Sequence, residues 1–221
     1  MNKKGEGADL AADKKRALAL TPVSRETEKR LDAFVAILLE WQRRQNLIAA
    51  STVPKIWTRH VADSLQLLKL APQAKTWADL GAGAGFPGIP IACVLAGKPG
   101  TMVHLIESNG KKAAFLRAAV AATGAAATVH HMRAEDFGES CAERIEVVTA
   151  RALAPLKELF AQALPFIRRG AVGLFPKGQD VEAELTEAAK YWSIDAAKQR
   201  SVTAPEGQIV VLRGLSKRKS A

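Results

Sequence analysis

Apolar residues fall at helical spacing just after Ser24: Leu31, Phe34, Val35, Leu38 and Trp41 share one face, with Glu26 and Glu28 in the first turn. The spacing predicts an amphipathic helix capped by Ser24 and ending near Asn46. A second helix is expected over 53–70, with Pro54 in its first turn, Val61, Leu65 and Leu68 on one face, and Pro72 stopping it. Beyond that the period changes. Short apolar strands alternate with helical stretches: TWADL (76–80), IPIACVLAG (89–97), MVHLIES (102–108), KKAAFLRAAVAATG (111–124) and ATVHH (127–131). The alternation continues through IEVVTA (145–150), a helix over 156–164, AVGLFP (171–176), a helix over 180–189, a strand near Ser193 and QIVVLRG (208–214).

Parallel strands need crossover connections, so repeated strand–helix units predict an α/β fold: a doubly wound, Rossmann-like parallel sheet covered on both faces, with an N-terminal helical extension. Residues 1–20 mix Lys, Asp, Gly and Ala without sustained periodicity and are expected to form a flexible basic tail. The helical extension then spans 21–72, the core 73–215, and a second basic tail 216–221.

Composition narrows the class. A chain of 221 residues with 48% hydrophobic side chains suits one large soluble core and excludes a disordered or fibrous protein. Cys93 and Cys141 match no ligand or disulfide spacing, so no metal site is expected and a reducing compartment fits. The longest uncharged run, residues 80–97, is interrupted by Gly81, Gly83, Gly85, Pro87, Gly88 and Pro90, which argues against a membrane span. The first 20 residues lack a continuous apolar segment of the secretory kind, so a cytoplasmic location is expected.

The net charge is +10, and its distribution adds information. Residues 1–60 and 151–221 each carry 12 basic and 7 acidic side chains, whereas 61–150 carry 8 of each. Cationic flanks around a neutral chamber suit a polyanionic substrate; the alternative is a solvated surface serving solubility.

Candidate chemistry concentrates at predicted strand tips. Asp79, Gly81, Gly83, Gly85, Phe86 and Gly88 follow the first core strand and open a helix, a sharp turn where missing side chains let backbone approach a ligand. Asp79 is placed either to accept from a bound amino group or to order the loop. Glu107 ends the next strand, 22 residues after Gly85, where a carboxylate can accept from two ribose hydroxyls. Arg133, Ala134, Glu135 and Asp136 stand at a third tip. Gly83-x-Gly85-x-x-Gly88 formally satisfies the dinucleotide fingerprint, but the spacing Asp79-x-Gly81-x-Gly83-x-Gly85, with apolar flanks including Phe86, resembles the cofactor loop of S-adenosylmethionine-dependent class I methyltransferases more. A P-loop is excluded because Gly97-Lys98 is followed by Pro99.

The acceptor atom is narrowed by elimination. The fourth strand ends in Thr149, Ala150, Arg151, Ala152 and Leu153, without the Asn/Asp-Pro-Pro-aromatic element that holds an exocyclic amine. Neither Cys93 nor Cys141 is placed to attack a pyrimidine. A ring nitrogen with a free lone pair, such as guanine N7, needs no general base, which leaves positioning and desolvation as the main catalytic devices.

In combination, the residues from Trp41 to Leu47, 59–65, 79–90, Glu107-Ser108, Lys111-Lys112 with Phe115-Leu116, 133–135, Arg151-Ala152 and Lys177-Gly178 closely resemble the bacterial ribosomal RNA small-subunit methyltransferase G family, also called glucose-inhibited division protein B. The resemblance covers about residues 24–180 and implies methyl transfer from S-adenosylmethionine to guanine N7 of 16S ribosomal RNA. It places Gly81, Phe86, Glu107, Ala134, Glu135 and Arg151 on cofactor-contacting positions. Ala49-Ala50 departs from the Thr or Ser often found there, so no hydroxyl role is expected at that point. Arg59, His60, Arg151 and Lys177 are the substrate-positioning candidates, with an Arg59–Asp63 ion pair as the alternative for the first. Lys111 and Lys112 either contact phosphates or are simply solvated, and His104, His130 and His131 are read as packing or surface residues. The partner is then 16S ribosomal RNA or the small ribosomal subunit, met by a monomer. Two competing classes are an NAD-dependent oxidoreductase and a non-catalytic RNA-binding module.

Overall fold

The computed structural model describes residues 3–151 and 154–218, so the Ala152 of the Arg151-Ala152 motif lies outside the described residues. Two helices lead the chain, α1 (Lys3–Leu20) and α2 (Arg25–Gln42). The Ser24 hydroxyl accepts from the Thr27 amide, as its sequence position predicts, and Leu31, Phe34, Val35 and Leu38 are buried. α2 stops four residues earlier than expected because the Gln42 side chain takes over the backbone, accepting from the Leu47 and Ile48 amides and donating to the Ile48 carbonyl.

Two expectations for this region need correction. Residues 3–20 are not a loose tail: they form the helix α1, and its Ala17 and Asp13 are buried, while the first two residues of the expected tail lie outside the described residues. The weak hydrophobic pattern of α1 hides the docking, in which Ala17 and Leu10 pack on the apolar core beside polar contacts from Asp13 and Lys14. The helix expected over 53–70 is a rod of changing pitch: a 3-10 stretch (Ala50–Lys55), a π-helical stretch (Trp57–Ala62), the short α3 (Asp63–Leu65) and a closing 3-10 turn (Gln66–Lys69).

The core follows as β1 (Thr76–Leu80), α4 (Gly88–Leu95), β2 (Met102–Ile106), α5 (Gly110–Thr123), β3 (Ala127–His130), α6 (Ala134–Ser140), β4 (Val147–Thr149), α7 (Leu156–Ile167), β5 (Val172–Lys177), α8 (Val181–Ala188), β6 (Trp192–Arg200) and β7 (Gln208–Lys217). The strands form one sheet in the order β3-β2-β1-β4-β5-β7-β6. The expected parallel sheet holds for five strands, but β7 runs antiparallel to both β5 and β6. A hairpin links β6 to β7, and a hairpin can only make an antiparallel pair. β7 also draws Ser216 and Lys217 into the sheet, two residues of the expected C-terminal tail.

Burial on both faces explains the unbroken apolar strands. Trp77, Val103, Leu105, Val147 and Leu174 enter one core with α2, α4 and α5, while Ala78, Leu80, Ile106, Val148 and Phe175 enter a second core with α6, α7 and α8. α2 therefore belongs to the first core: Trp41 meets Phe115 at 5.7 Å, and Arg30 Nη1 donates to the Thr123 and Gly124 carbonyls at the end of α5. Among the described residues, no helix is long and apolar enough to cross a membrane.

Candidate functional site

The order reverses beside β1, whose crossovers lead to β2 on one side and whose other neighbour is β4, and a ligand crevice belongs at the carboxyl ends of such strands. A cleft of about 960 Å³ lies there. Its floor is the glycine turn after β1. Gly83 (φ 53°) and Gly85 (φ 83°) occupy left-handed backbone conformations, and a Cβ on Gly85 would stand 2.8 Å from Ile89 Cδ1 and 3.1 Å from Phe34 Cζ. The loop thus lies directly against α2, and Phe34 packs edge-on to Phe86 at 5.1 Å.

Two carboxylates organise this turn in different ways. Asp79 is fully buried, and its Oδ2 accepts from the Gly88 amide at 2.9 Å, so of the two roles open to it in the sequence it orders the loop. Its Oδ1 is buried without a hydrogen-bond partner among the described residues. Burial pushes the Asp79 carboxyl up to about 7, against the opposing pull of the Gly88 amide and Arg151. Glu107, at the tip of β2, lines the cleft; Oε2 accepts from the Gly83 amide at 2.9 Å and Oε1 from the Asn109 amide at 2.7 Å. Each oxygen keeps a second lone pair.

The facing wall comes from the composite rod. The His60 ring stacks on Phe86 with centroids 4.9 Å apart, and the Arg151 guanidinium lies 5.0 Å from the centre of the same ring. Arg151 Nη2 donates to His60 Nδ1 at 2.6 Å, while Nη1 donates to the Arg59 carbonyl and approaches Asp63 Oδ2 at 3.6 Å. Because Nδ1 accepts from Arg151, the ring proton sits on Nε2, which donates to Thr52 Oγ1 at 2.9 Å. Burial, then the Arg151 and Arg59 charges, push His60 down to about 3, so the ring is neutral at physiological pH.

The structure redraws several expectations. Arg59, His60, Arg151 and Lys177 all line the cleft, as do Gly81, Gly83, Phe86 and Glu107. Asp79 and Gly85 lie beneath it rather than on its surface. Ala134 and Glu135 are not among its lining residues: the Ala134 methyl is buried in the second core, and the Glu135 carboxylate is turned to Gln162 Nε2 at 3.0 Å. Asp63 faces Arg151 in place of the alternative Arg59 ion pair, and also accepts from Gln66 Nε2 and Thr203 Oγ1. Lys177 Nζ is held by Glu184 at 2.7 Å and by the Ala154 carbonyl at 2.9 Å. Lys112 lines the cleft, whereas Lys111 does not.

Sequence reasoning missed the far wall, Ser201 to Gln208 around the β6–β7 turn. It docks on the rod because the Gln66 side chain accepts from the Val202 amide and its amide nitrogen lies 3.2 Å from Ser201 Oγ. Ser201, Val202 and Thr203, between Arg200 and Ala204, carry no periodic signal that pairs them with Asp63 and Gln66, 135 to 140 positions away. Elsewhere, His104 Nδ1 lies 3.0 Å from His130 Nε2 and both rings pack near Phe137, consistent with a packing role. The Cys93 thiol is buried and pushed up to about 12, which leaves it unreactive.

Solved structures sharing this fold include the O-methyltransferase TomG from Streptomyces achromogenes in complex with SAM, at TM-score 0.58 and 16% identity over 96% of this chain and 99% of that one. Another is an O-methyltransferase from Bacillus cereus with SAH, at TM-score 0.56 and 13% identity over 94% and 99% of the two chains. Curated relatives are much nearer in sequence. Ribosomal RNA small subunit methyltransferase G of Bradyrhizobium sp. (strain ORS 278) is 55% identical over 95% of both chains, and its namesake from Bradyrhizobium sp. (strain BTAi1 / ATCC BAA-1182) is 58% identical over 92% of this chain and 91% of its own. The oxidoreductase and non-catalytic alternatives gain no support from these relatives. The family model for rRNA small subunit methyltransferase G matches residues 27–217, further than the 24–180 expected, because the closing β6–β7 hairpin is part of the shared pattern. By that match and that identity, the chain belongs to the rRNA small subunit methyltransferase G family.

Proposed function

We propose that this protein transfers a methyl group from S-adenosylmethionine to guanine N7 in the 16S ribosomal RNA of the small subunit. The observation that carries the reading is the shared cleft. Glu107 and the glycine turn form one side of it, and the His60–Phe86–Arg151 cluster forms the other.

The residues fit an adenosyl donor. The free lone pairs on Glu107 suit two ribose hydroxyls, while its two backbone hydrogen bonds fix the carboxylate before anything binds. Gly81 and Gly83 leave the turn bare of side chains at the point of closest approach. When bound, S-adenosylmethionine supplies a methyl group activated by a sulfonium. Arg59, His60 and Arg151, on the facing wall of the same cleft, would hold the guanine.

Guanine N7 carries a free lone pair, so no proton has to leave before attack. The state of His60 agrees with this. Both ring nitrogens are committed, one to Arg151 and one to Thr52, which makes the imidazole a fixed wall instead of a base. Arg59, exposed at the rim, and Lys112 in the first turn of α5 supply charge for RNA phosphates. Tyr191 and Val202 are the large apolar side chains exposed among the described residues, which supports a monomer, and a ribosomal RNA substrate supports a cytoplasmic location.

The test is methylation of small-subunit particles or 16S RNA lacking the mark, with the modified nucleotide mapped by mass spectrometry. Incorporation at a guanine N7 is the expected result. Turnover on another atom, or none with a competent substrate, overturns the reading.

A further inference from the structure

α1 lies outside the 27–217 match, yet it touches the wall that holds the acceptor. The contact centres on a buried carboxylate. Asp13, 2% exposed, accepts from the Trp57 amide (2.9 Å) and the Thr58 amide (3.1 Å) through Oδ2, while its Oδ1 accepts from the Thr58 hydroxyl. Lys14, the next residue, sits 5.1 Å over the Trp57 ring and pairs with Glu28 and Asp32 of α2.

Trp57 and Thr58 open the π-helical stretch Trp57–Ala62, which contains Arg59 and His60. The first amides of a helical segment have no acceptor behind them within that segment, and a π turn is a rare form found often at functional sites. A carboxylate placed on those two amides stabilises the break in pitch. That break sets the angular position of residues 59 and 60 on the rod. One residue after Thr58, the Arg59 carbonyl meets Arg151; two residues after it, His60 meets Phe86, Thr52 and Arg151.

We propose that Asp13 is a positioning residue for methyl transfer: from α1 it caps the π-helical turn and thereby fixes Arg59 and His60 against the acceptor base. This rests on the assignment of the Arg59–His60 wall to the RNA substrate. The role is distinct from general stability, because the cap acts on the two residues that precede the wall rather than on the sheet or on Glu107.

The experiment compares Asp13→Ala, Asp13→Asn and Arg59→Ala in the full chain, at a temperature well below each variant's unfolding. Asparagine can still accept from both amides through its oxygen and can donate to Thr58 Oγ1, so it should restore most of what alanine loses. For Asp13→Ala, kcat/KM toward 16S RNA should fall about tenfold or more, while Kd for S-adenosylmethionine changes less than about threefold. Asp13→Asn should recover to within about threefold of the parent. Unchanged RNA kinetics in folded Asp13→Ala, with Arg59→Ala impaired, overturns the positioning role and leaves the substrate wall standing. Unchanged RNA kinetics in Arg59→Ala as well overturns the substrate wall itself. Equal losses in cofactor and RNA binding, unrescued by asparagine, also overturn the proposal, since a generally loosened fold would behave that way.

Discussion

Replacing Glu107 tests the donor side of the cleft most directly. The carboxylate makes two hydrogen bonds to backbone amides, Gly83 at 2.9 Å and Asn109 at 2.7 Å, and is 7% exposed. Glu107→Ala removes both acceptors and any bonds to ribose hydroxyls. Charge-assisted bonds of this kind are worth roughly 1.5–3 kcal/mol each, but the freed amides regain water once the side chain is gone, so the net loss in cofactor binding is about 1–3 kcal/mol. That corresponds to a roughly 5- to 150-fold rise in Kd for S-adenosylmethionine. Glu107→Gln should fall in the same range, because its NH2 group must face one of two amide donors. Isothermal titration with S-adenosylmethionine or S-adenosylhomocysteine reads the effect, and circular dichroism confirms that the variants remain folded. A Kd within twofold of the parent for both variants refutes the assignment of the ribose to Glu107.

Other predictions probe the frame around the site. Gly88→Ala would put a Cβ 2.2 Å from Leu105 Cδ2 and 2.7 Å from Asp79 Oδ2, so overpacking should cost about 1–3 kcal/mol and lower Tm by several degrees in calorimetry. Arg30→Met removes the charged donor to the Thr123 and Gly124 carbonyls at the end of α5 and should cost about 1–3 kcal/mol in urea unfolding, with little change in cofactor affinity. Two groups should give stability opposite pH slopes. Asp79, raised to about 7 from 3.8, favours the native state most at low pH, and that contribution is lost as pH rises through about 7; Asp79→Asn should flatten this decline in unfolding curves taken from pH 5 to 8. His60, lowered to about 3 from 6.5, contributes fully above 6.5, and its contribution is lost as pH falls toward 3; His60→Gln should show a weaker acid dependence between pH 6.5 and 4.

The alternation of strand and helix, the glycine turn and Glu107 were legible in the chain because each is a local pattern. Apolar runs bounded by Gly and Pro set strands such as TWADL, and Ser24 caps α2 from an adjacent position. Arg59, His60, Arg151 and Lys177 also stood out one by one, through motif resemblance.

Their partners were another matter. That Arg151 would donate to His60 and make it a neutral acceptor depends on bringing positions 91 residues apart within 2.6 Å. The Ser201–Gln208 wall, and the β7 strand running against its neighbours, depend on where a hairpin lands on a finished sheet. α1 shows the limit most plainly. Its sequence has almost no apolar stripe, so periodicity reads a tail, yet Asp13 is buried on the amides of Trp57 and Thr58. In the sheet core the chain by itself determined most of the strands and helices and the bare glycine turn, because those choices follow from each residue's own conformational preferences and nearest neighbours. Only the tertiary structure decided which polar groups meet, since a buried hydrogen bond is worth forming only where its partner has already been delivered by packing.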